Sequence, residues 1–456
     1  MLWSFLKNRM LNNLDRKICE SSAEMTFDDA VIFAEGFAKE LRGTECCAIL
    51  CNSEMAAGIA LLSCFAAGVT AVPLSYRYGR AHCEKILKLI GPDAIITDNS
   101  GEIEVVHIED PEYTEPKEHP ALIMCTSGTT GTPKGAMLTE KNIVTNVSDI
   151  AAYFNIQRGD TILIARPLYH CAVLTGEFLT ALTKGADIRF YSGAFDPAAM
   201  LKLIDMYKVT AFCGTPTLLR MMARLKKDCG SLRHISVSGE CMSKEVGRQI
   251  AEAFKSSEVY HIYGLTEACP RVSYLPPNKF SEYPDFVGVP LKSVSLKIIN
   301  KDGEKVKTGE VGALWIKGDN IMTGYYNAPE KTSEVLKNGW LCTGDLAVQN
   351  ASGFLKIMGR SDDLIIKAGM NIYPQEIEGT LKRDKRVKEV LASGSRDDAL
   401  GTVIILTIAG DFKDTAEVRK LCKEMLPSYA LPSKIHLVDS IPKNGSGKII
   451  RRKQND

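Results

Sequence analysis

The sequence predicts an α/β protein: a large N-terminal domain of parallel α/β layers with an antiparallel subdomain, followed by a small α+β C-terminal domain. Three observations lead there. From about Phe27 onward, short β-branched runs alternate with helical patterns, the rhythm of strand–helix crossovers in a parallel sheet. After about Val294 the rhythm changes to "SLKIINKDGEKVKTGEVGALWIKG", which reads as hairpins with D-G and T-G turns. From "GFLKIMGR" onward the pattern changes again, with a helical "IYPQEIEGTLKRD" ahead of two strand-like runs, "VKEVLASG" and "GTVIILTIAG".

Taken in order, the N-terminal "MLWSFLKNRMLNNLDRKI" places Trp3, Leu6, Met10 and Leu14 at helical spacing with basic residues between them. It lacks the apolar centre of a signal peptide and reads as a first helix packed on the body, in preference to a membrane-surface helix. "CCAILCN" is a buried strand. Residues Met55 to Tyr76 carry no charge and approach spanning length. Gly68 and Pro73 divide that stretch into a buried helix and a buried strand, "VTAVPL". "DAIITD" follows after another helix. The charged, Pro-containing "IEDPEYTEPKEHP" precedes an apolar "ALIMC" that ends in a loop. "TILIARP", "ADIRFYS", "VTAFCG" and "HISVSG" continue the strand series.

Composition excludes several classes. The 456 residues suffice for roughly three units of ordinary domain size. Net charge is +1, too little for a nucleic-acid or acidic-membrane footprint. Fourteen Cys are scattered with no C-x-x-C pair, which predicts reduced thiols in a cytoplasmic protein. No zinc-type cluster forms among the seven His, and no integral membrane segment is expected.

The loop "TSGTTGTPKG", Thr126 to Gly135, is the most telling stretch. Glycines let backbone N–H groups turn inward around an anion, hydroxyls add donors, and Lys134 adds a mobile cation. A polyphosphate fits this set; an ordinary surface loop has similar composition. The P-loop does not fit, because it needs Gly-Lys-Ser/Thr, whereas Lys134 follows Pro133 and precedes Gly135. "GAMLT" after it reads as a strand.

"MCTSGTTGTPKGAMLT" resembles the signature of the adenylate-forming superfamily of acyl-CoA synthetases, adenylation domains and luciferases. Four further segments resemble that family in its order: "HIYGLTEA", "GWLCTGDLA", "GRSDDLIIKAGMNIYPQEIE" and "IPKNGSGKIIRR". Five motifs in register make the resemblance specific and extend it along nearly the whole chain. It implies ATP-dependent conversion of a carboxylic acid to an acyl-adenylate with release of pyrophosphate, then acyl transfer to a thiol. The implied cofactors are ATP, Mg²⁺ and CoA, or the phosphopantetheine of a separate acyl carrier protein. It also implies a boundary between residues 1–361 and a mobile domain, 362–456.

The resemblance assigns roles residue by residue. Thr126, Ser127, Gly128, Thr129, Thr130 and Lys134 would grip the outer phosphates. Thr266 would bind the α-phosphate and Glu267 would hold Mg²⁺, a hard ion suited to a carboxylate. His261, Tyr263, Gly264, Gly239 and Glu240 would surround the nucleotide, with Tyr263 along the adenine. Asp345 has two oxygens for two ribose hydroxyls, and Arg360 would assist. Lys448 would enter between carboxylate and α-phosphate, with Lys443, Arg451 and Arg452 left solvated. Asp362 would be the hinge, with Lys367 and Gly369 lining the thiol tunnel.

The acid is less legible. The region "RPLYHCAVLTGEF" lacks the Asp that amino-acid-activating relatives use to pair the substrate ammonium, so an α-amino acid is disfavoured. Glu177 is the nearest acid, and helical spacing could turn it away. His170 resembles the gate beside the reacting carboxylate, and it could also be a core histidine. Cys171, Val173, Cys213, Cys241 and Cys269, with Gly214, Ser238 and Met242, are small or apolar and suit an aliphatic or aryl acid. Arg271 stands out: it could pair with a second carboxylate, a phenolate or a backbone carbonyl. The acceptor is CoA first and a carrier protein second; the chain has no D-S-L attachment segment, so a carrier would be a separate protein. A decayed nucleotide sensor is the remote alternative, disfavoured by the intact charged motif residues.

Overall fold

In the computed structural model, the described residues are 1–75, 79–99, 102–127, 133–193, 195–225, 229–367, 370–397, 401–442 and 449. Two twisted sheets dominate them. The larger has nine strands among the described residues. Its parallel centre runs Glu258–Gly264, His234–Val237, Ala211–Gly214, Thr161–Ile164, Asp187–Phe190 and Lys17–Glu20. Antiparallel strands Arg271–Leu275 and Ala23–Thr26 flank that centre. The second sheet has a parallel centre of Leu122–Ser127, Thr70–Pro73, Cys46–Ile49 and Ala94–Asn99. Antiparallel strands flank it, with Pro133–Leu138 and then Gly324–Tyr325 on one side and Glu102–His107 on the other.

One core joins the two sheets through helices. Ile49 and Leu122 of the smaller sheet, Ile59 and Leu62 of the helix Glu54–Ala67, and Ile162 and Ile188 of the larger sheet all belong to it. That helix, uncharged after Glu54, forms for local reasons: Ser53 caps its first turn, and Gly68 takes the left-handed conformation that stops it. The close approach of Phe178 explains Gly58, where an added Cβ would lie 2.9 Å from the ring.

The antiparallel subdomain forms as expected. Val294–Ile299 pairs with Gly312–Gly318, which pairs with Trp340–Gln349, and Leu355–Arg360 closes on the last. Beyond it, Ile365, Ile377, Val390, Leu406 and Leu421 form a core of their own. That small unit rests on the larger one at several described residues, among them Gln375 against Gly359. Gly379 meets Ser243 so closely that a Cβ there would be 3.0 Å from the serine Cβ. Arg220 donates from Nη2 to the carbonyl of Lys382 at 3.1 Å.

One expectation needs correction. The first helix is Leu2–Leu11, and it buries Leu2, Leu6 and Met10. Leu14 lies beyond its end and is exposed, so the buried stripe runs at strict i, i+4 spacing and leaves Trp3 only partly covered. Three short strands, Lys17–Glu20, Ala23–Thr26 and Glu102–His107, lie outside the strand series read from the sequence; the first two are only four residues long, and tertiary pairing forms them.

Candidate active site

The larger sheet carries most of the motif residues at its strand ends. His234–Val237 leads into Ser238 and Gly239, and the latter has φ 96°, a conformation suited to glycine. Glu258–Gly264 leads into the short turn Thr266–Ala268. Two side-chain amides brace that turn: Asn320 donates to the carbonyl of Ala268 at 2.7 Å, and both Asn320 and Asn146 donate to the carbonyl of Arg271. The Leu265 amide bonds the Pro270 carbonyl, and a Cβ at Gly264 would lie 2.0 Å from that same oxygen. Only glycine fits between these two backbone segments.

Two polar clusters sit beside the turn. In the first, the Tyr325 hydroxyl donates to Glu267 Oε1 at 2.8 Å, while the Lys134 ammonium lies 5.1 Å from the centre of the Tyr325 ring. In the second, the Tyr263 hydroxyl donates to Asp345 Oδ2 at 2.5 Å. Arg360 stands opposite Asp345 in the strand pairing, with Nη1 3.5 Å from Oδ1 and bonded to the Thr343 carbonyl at 2.9 Å. Burial and the Asp345 charge push the Tyr263 phenol well up, so it remains a donor. Burial and Glu267 do the same for Tyr325. Ser361 bonds Gly344, and Asp362 follows in the turn Ser361–Asp363 at the edge of the small unit.

A third cluster lies deeper. His170 precedes a helix that passes into a π-helical segment, Leu174–Leu179. Burial first, then Arg166, pushes the His170 imidazole down to about 3, so the ring is neutral. Glu177 lies inside the protein, paired with Arg166 at 2.5 Å. Its carboxyl is pushed up by burial against the pull of that partner. Glu177 thus lies in the buried wall with Arg166 as its partner. Arg271 is 2% exposed and bonds the Ala172 carbonyl at 3.4 Å and Ser238 Oγ at 3.3 Å. Cys213 lies in the field of Glu177, Arg271 and Arg166, with its thiol pushed up by burial. Thr175 Oγ1 links the carbonyls of Cys171 and Cys269, and both cysteines are buried, as is Val173.

Other expected residues stand apart. His261 is buried with its ring toward the backbone of Phe286 and Pro284. Glu240 accepts from Thr217 Oγ1 at 2.6 Å, and Cys241 is exposed outside the buried wall. Lys367 donates to the Tyr429 carbonyl at 3.2 Å. The strand Leu122–Ser127 carries the backbone of Thr126 and Ser127, whose side chains are outside the described residues. Gly128, Thr129, Thr130, Gly369, Lys443, Lys448, Arg451 and Arg452 also lie outside them. Sequence reading missed Tyr325 and Arg166. The signal for Arg166 was a lone charge closing the apolar strand "TILIARP"; Tyr325, inside "GYYN", gave none.

The sequence pattern of the AMP-binding enzyme family matches residues 19–326, and that of its C-terminal domain matches 376–448. The chain belongs to the AMP-binding enzyme family. Within it, a feruloyl-CoA synthase from an Amycolatopsis species is 30% identical across 86% of this chain and 84% of its own. A long-chain-fatty-acid–CoA ligase from Haemophilus influenzae is 34% identical across 76% of this chain. That match spans 64% of the ligase, just under two thirds of its length. Among solved structures, o-succinylbenzoate CoA synthetase from Bacillus subtilis with its acyl-adenylate intermediate superposes with a TM-score of 0.87 at 28% identity, covering 99% of this chain and 98% of that one. The same synthetase has been solved with ATP and a magnesium ion. No described helix is long and apolar enough to cross a membrane.

Proposed function

We propose that this chain activates a carboxylic acid with ATP to an acyl-adenylate, releasing pyrophosphate, and then transfers the acyl group to the thiol of CoA. The observation that carries the reading is the convergence of Lys134–Tyr325–Glu267 and Tyr263–Asp345–Arg360 on the two sides of one braced turn. The named activities of the relatives support the choice of CoA over a carrier protein. Fourteen free cysteines support a cytoplasmic setting.

A carboxylate oxygen attacks the α-phosphorus while the bond to the bridging oxygen of pyrophosphate breaks, so negative charge builds at phosphorus. Fixed donors and cations lower that barrier. Thr266 binds the α-phosphate, the loop 126–134 holds the outer phosphates, and Lys448 bridges the two negative reactants. Asp345 exchanges its Tyr263 partner for the ribose hydroxyls. Glu267 fits a magnesium ion: it is a hard oxygen ligand, and one of its oxygens is held by the Tyr325 hydroxyl beside the Lys134 ammonium. When bound, that ion neutralises the triphosphate. Neutral His170 then borders the reacting carboxyl without protonating it.

In the second step the thiolate sulfur attacks the acyl carbon and AMP leaves. The small unit, 362–456, turns about Asp362 between the steps. Lys367 and Gly369 then line the thiol path. The test is pyrophosphate release over fatty, dicarboxylic and aryl acids, with hydroxylamine to trap adenylates and CoA added to the responsive acid. Lys448→Ala is expected to lose release yet form thioester from supplied adenylate; equal loss of both steps contradicts its role.

A further inference from the structure

The deep cluster has an uneven charge balance. Arg166 and Arg271 each bring a guanidinium, and Glu177 is the one carboxylate acting with them. His170 is neutral. Both cations converge on one turn: Arg271 bonds Ser238, and Arg166 lies 4.0 Å from where a Gly239 Cβ would be. Their hydrogen bonding is incomplete as well. Arg271 Nε, Arg166 Nε and Glu177 Oε2 are buried with no hydrogen-bond partner among the described residues. The guanidinium's bonds to Ser238 Oγ and the Ala172 carbonyl are long, and the Tyr153 hydroxyl lies beside it. Native interiors rarely leave charged donors in this state without a ligand or water to meet them.

The placement of Arg271 gives this imbalance a direction. His170 begins the helix, and the guanidinium lies on Gly176 further along it, where a Cβ would be 2.7 Å from Nη2. A side chain at 176 would therefore push the guanidinium off its seat. The π-helical turn at Leu174–Leu179 is a local irregularity of the kind that gathers at functional sites. On the function proposed above, an acid whose reacting carboxyl lies beside His170 and whose chain follows this helix would bring its far end to Gly176 and the Arg271 guanidinium.

We propose that this chain selects carboxylic acids carrying a second carboxylate at the end remote from the reacting one, and that Arg271 reads that group. The inference rests on the acid-activating function proposed above. A planar guanidinium matches a carboxylate with paired N–H donors. An alkyl tail in the same place would leave those donors buried and unmet, so long-chain fatty acids are rejected.

The test pairs straight-chain acids from butanoate to dodecanoate with the diacids of equal length, and benzoate with its dicarboxylic counterparts. Two readouts run on the wild-type enzyme: pyrophosphate release, and calorimetric binding of the acid with a non-hydrolysable ATP analogue present. The best diacid is expected to exceed its matched monoacid by about 100-fold in kcat/KM, the size of a buried charge pairing. Arg271→Met is expected to bring that ratio to about 1, with Arg271→Lys between the two. Should Arg271→Met fail to fold, the wild-type ratios decide alone. Preference for monoacids or long alkyl chains, or a ratio unchanged in Arg271→Met, overturns the proposal and leaves adenylation intact. Tighter binding of diacids without pyrophosphate release supports the selection and overturns the adenylation reading. Neither binding nor release of any acid overturns both.

Discussion

Lowering the pH from 7.5 to 5.0 is expected to destabilise the large domain through two histidines. His170 and His261 are both buried, with imidazoles held down to about 3 and about 4 from an ordinary 6.5. A depressed folded-state value means that the unfolded chain takes up protons the folded chain refuses. Stability is therefore full above 6.5 and is lost as the pH falls toward the folded values. At pH 5 each unfolded histidine is almost fully protonated while each folded one is neutral, so each contributes a loss of about 2 kcal/mol. Together they give about 4 kcal/mol, with a slope of about 2.5 kcal/mol per pH unit near pH 5. Urea unfolding followed by tryptophan fluorescence reads this, since Trp3, Trp315 and Trp340 all lie in the large domain. His261→Gln should halve the slope. A wild-type change below about 1 kcal/mol between these pH values would refute burial as the cause.

Further outcomes follow from the site. Gly264→Ala forces a Cβ against the Pro270 carbonyl, which cannot swing away, and should cost roughly 2–4 kcal/mol and lower the melting temperature by several degrees. An unchanged melt contradicts that geometry. Asp345→Ala removes the acceptor proposed for both ribose hydroxyls and should raise the KM for ATP about tenfold with kcat nearly unchanged. Chelation with EDTA should abolish pyrophosphate release. Glu267→Gln should raise the magnesium needed for half-activity by about tenfold, and an identical magnesium titration removes Glu267 from the metal site. Asp362→Pro should preserve one half-reaction and lose the other; retention of both means that the turn does not act as the hinge.

Local chemistry made much of this legible. The "KDG" and "KTGE" turns announced the antiparallel sheet, and Ser53 with Gly68 bounded a helix, uncharged after Glu54, within a stretch that length alone confuses with a membrane span. The facing of Asp345 and Arg360 was also within reach, because it needs only a hairpin register between two adjacent strands. Arg271 was not: its partners Ala172 and Ser238 come from distant parts of the chain, so no spacing rule links them. The partner of Glu177 was not legible for a related reason. Helical periodicity of 3.6 does not describe a π-helical turn, and the extra residue rotates the carboxylate onto Arg166. Tyr325 reaches Glu267 only because its two-residue strand pairs with Pro133–Leu138, too short a segment to read by alternation.

The most direct test of the central claim is exchange of labelled pyrophosphate into ATP with a responsive acid and magnesium present and CoA absent. Reversible attack at the α-phosphorus predicts exchange that depends on the acid and is lost in Lys448→Ala. Acid-dependent formation of ADP and phosphate, or ATP turnover only after CoA is added, would contradict an adenylate intermediate.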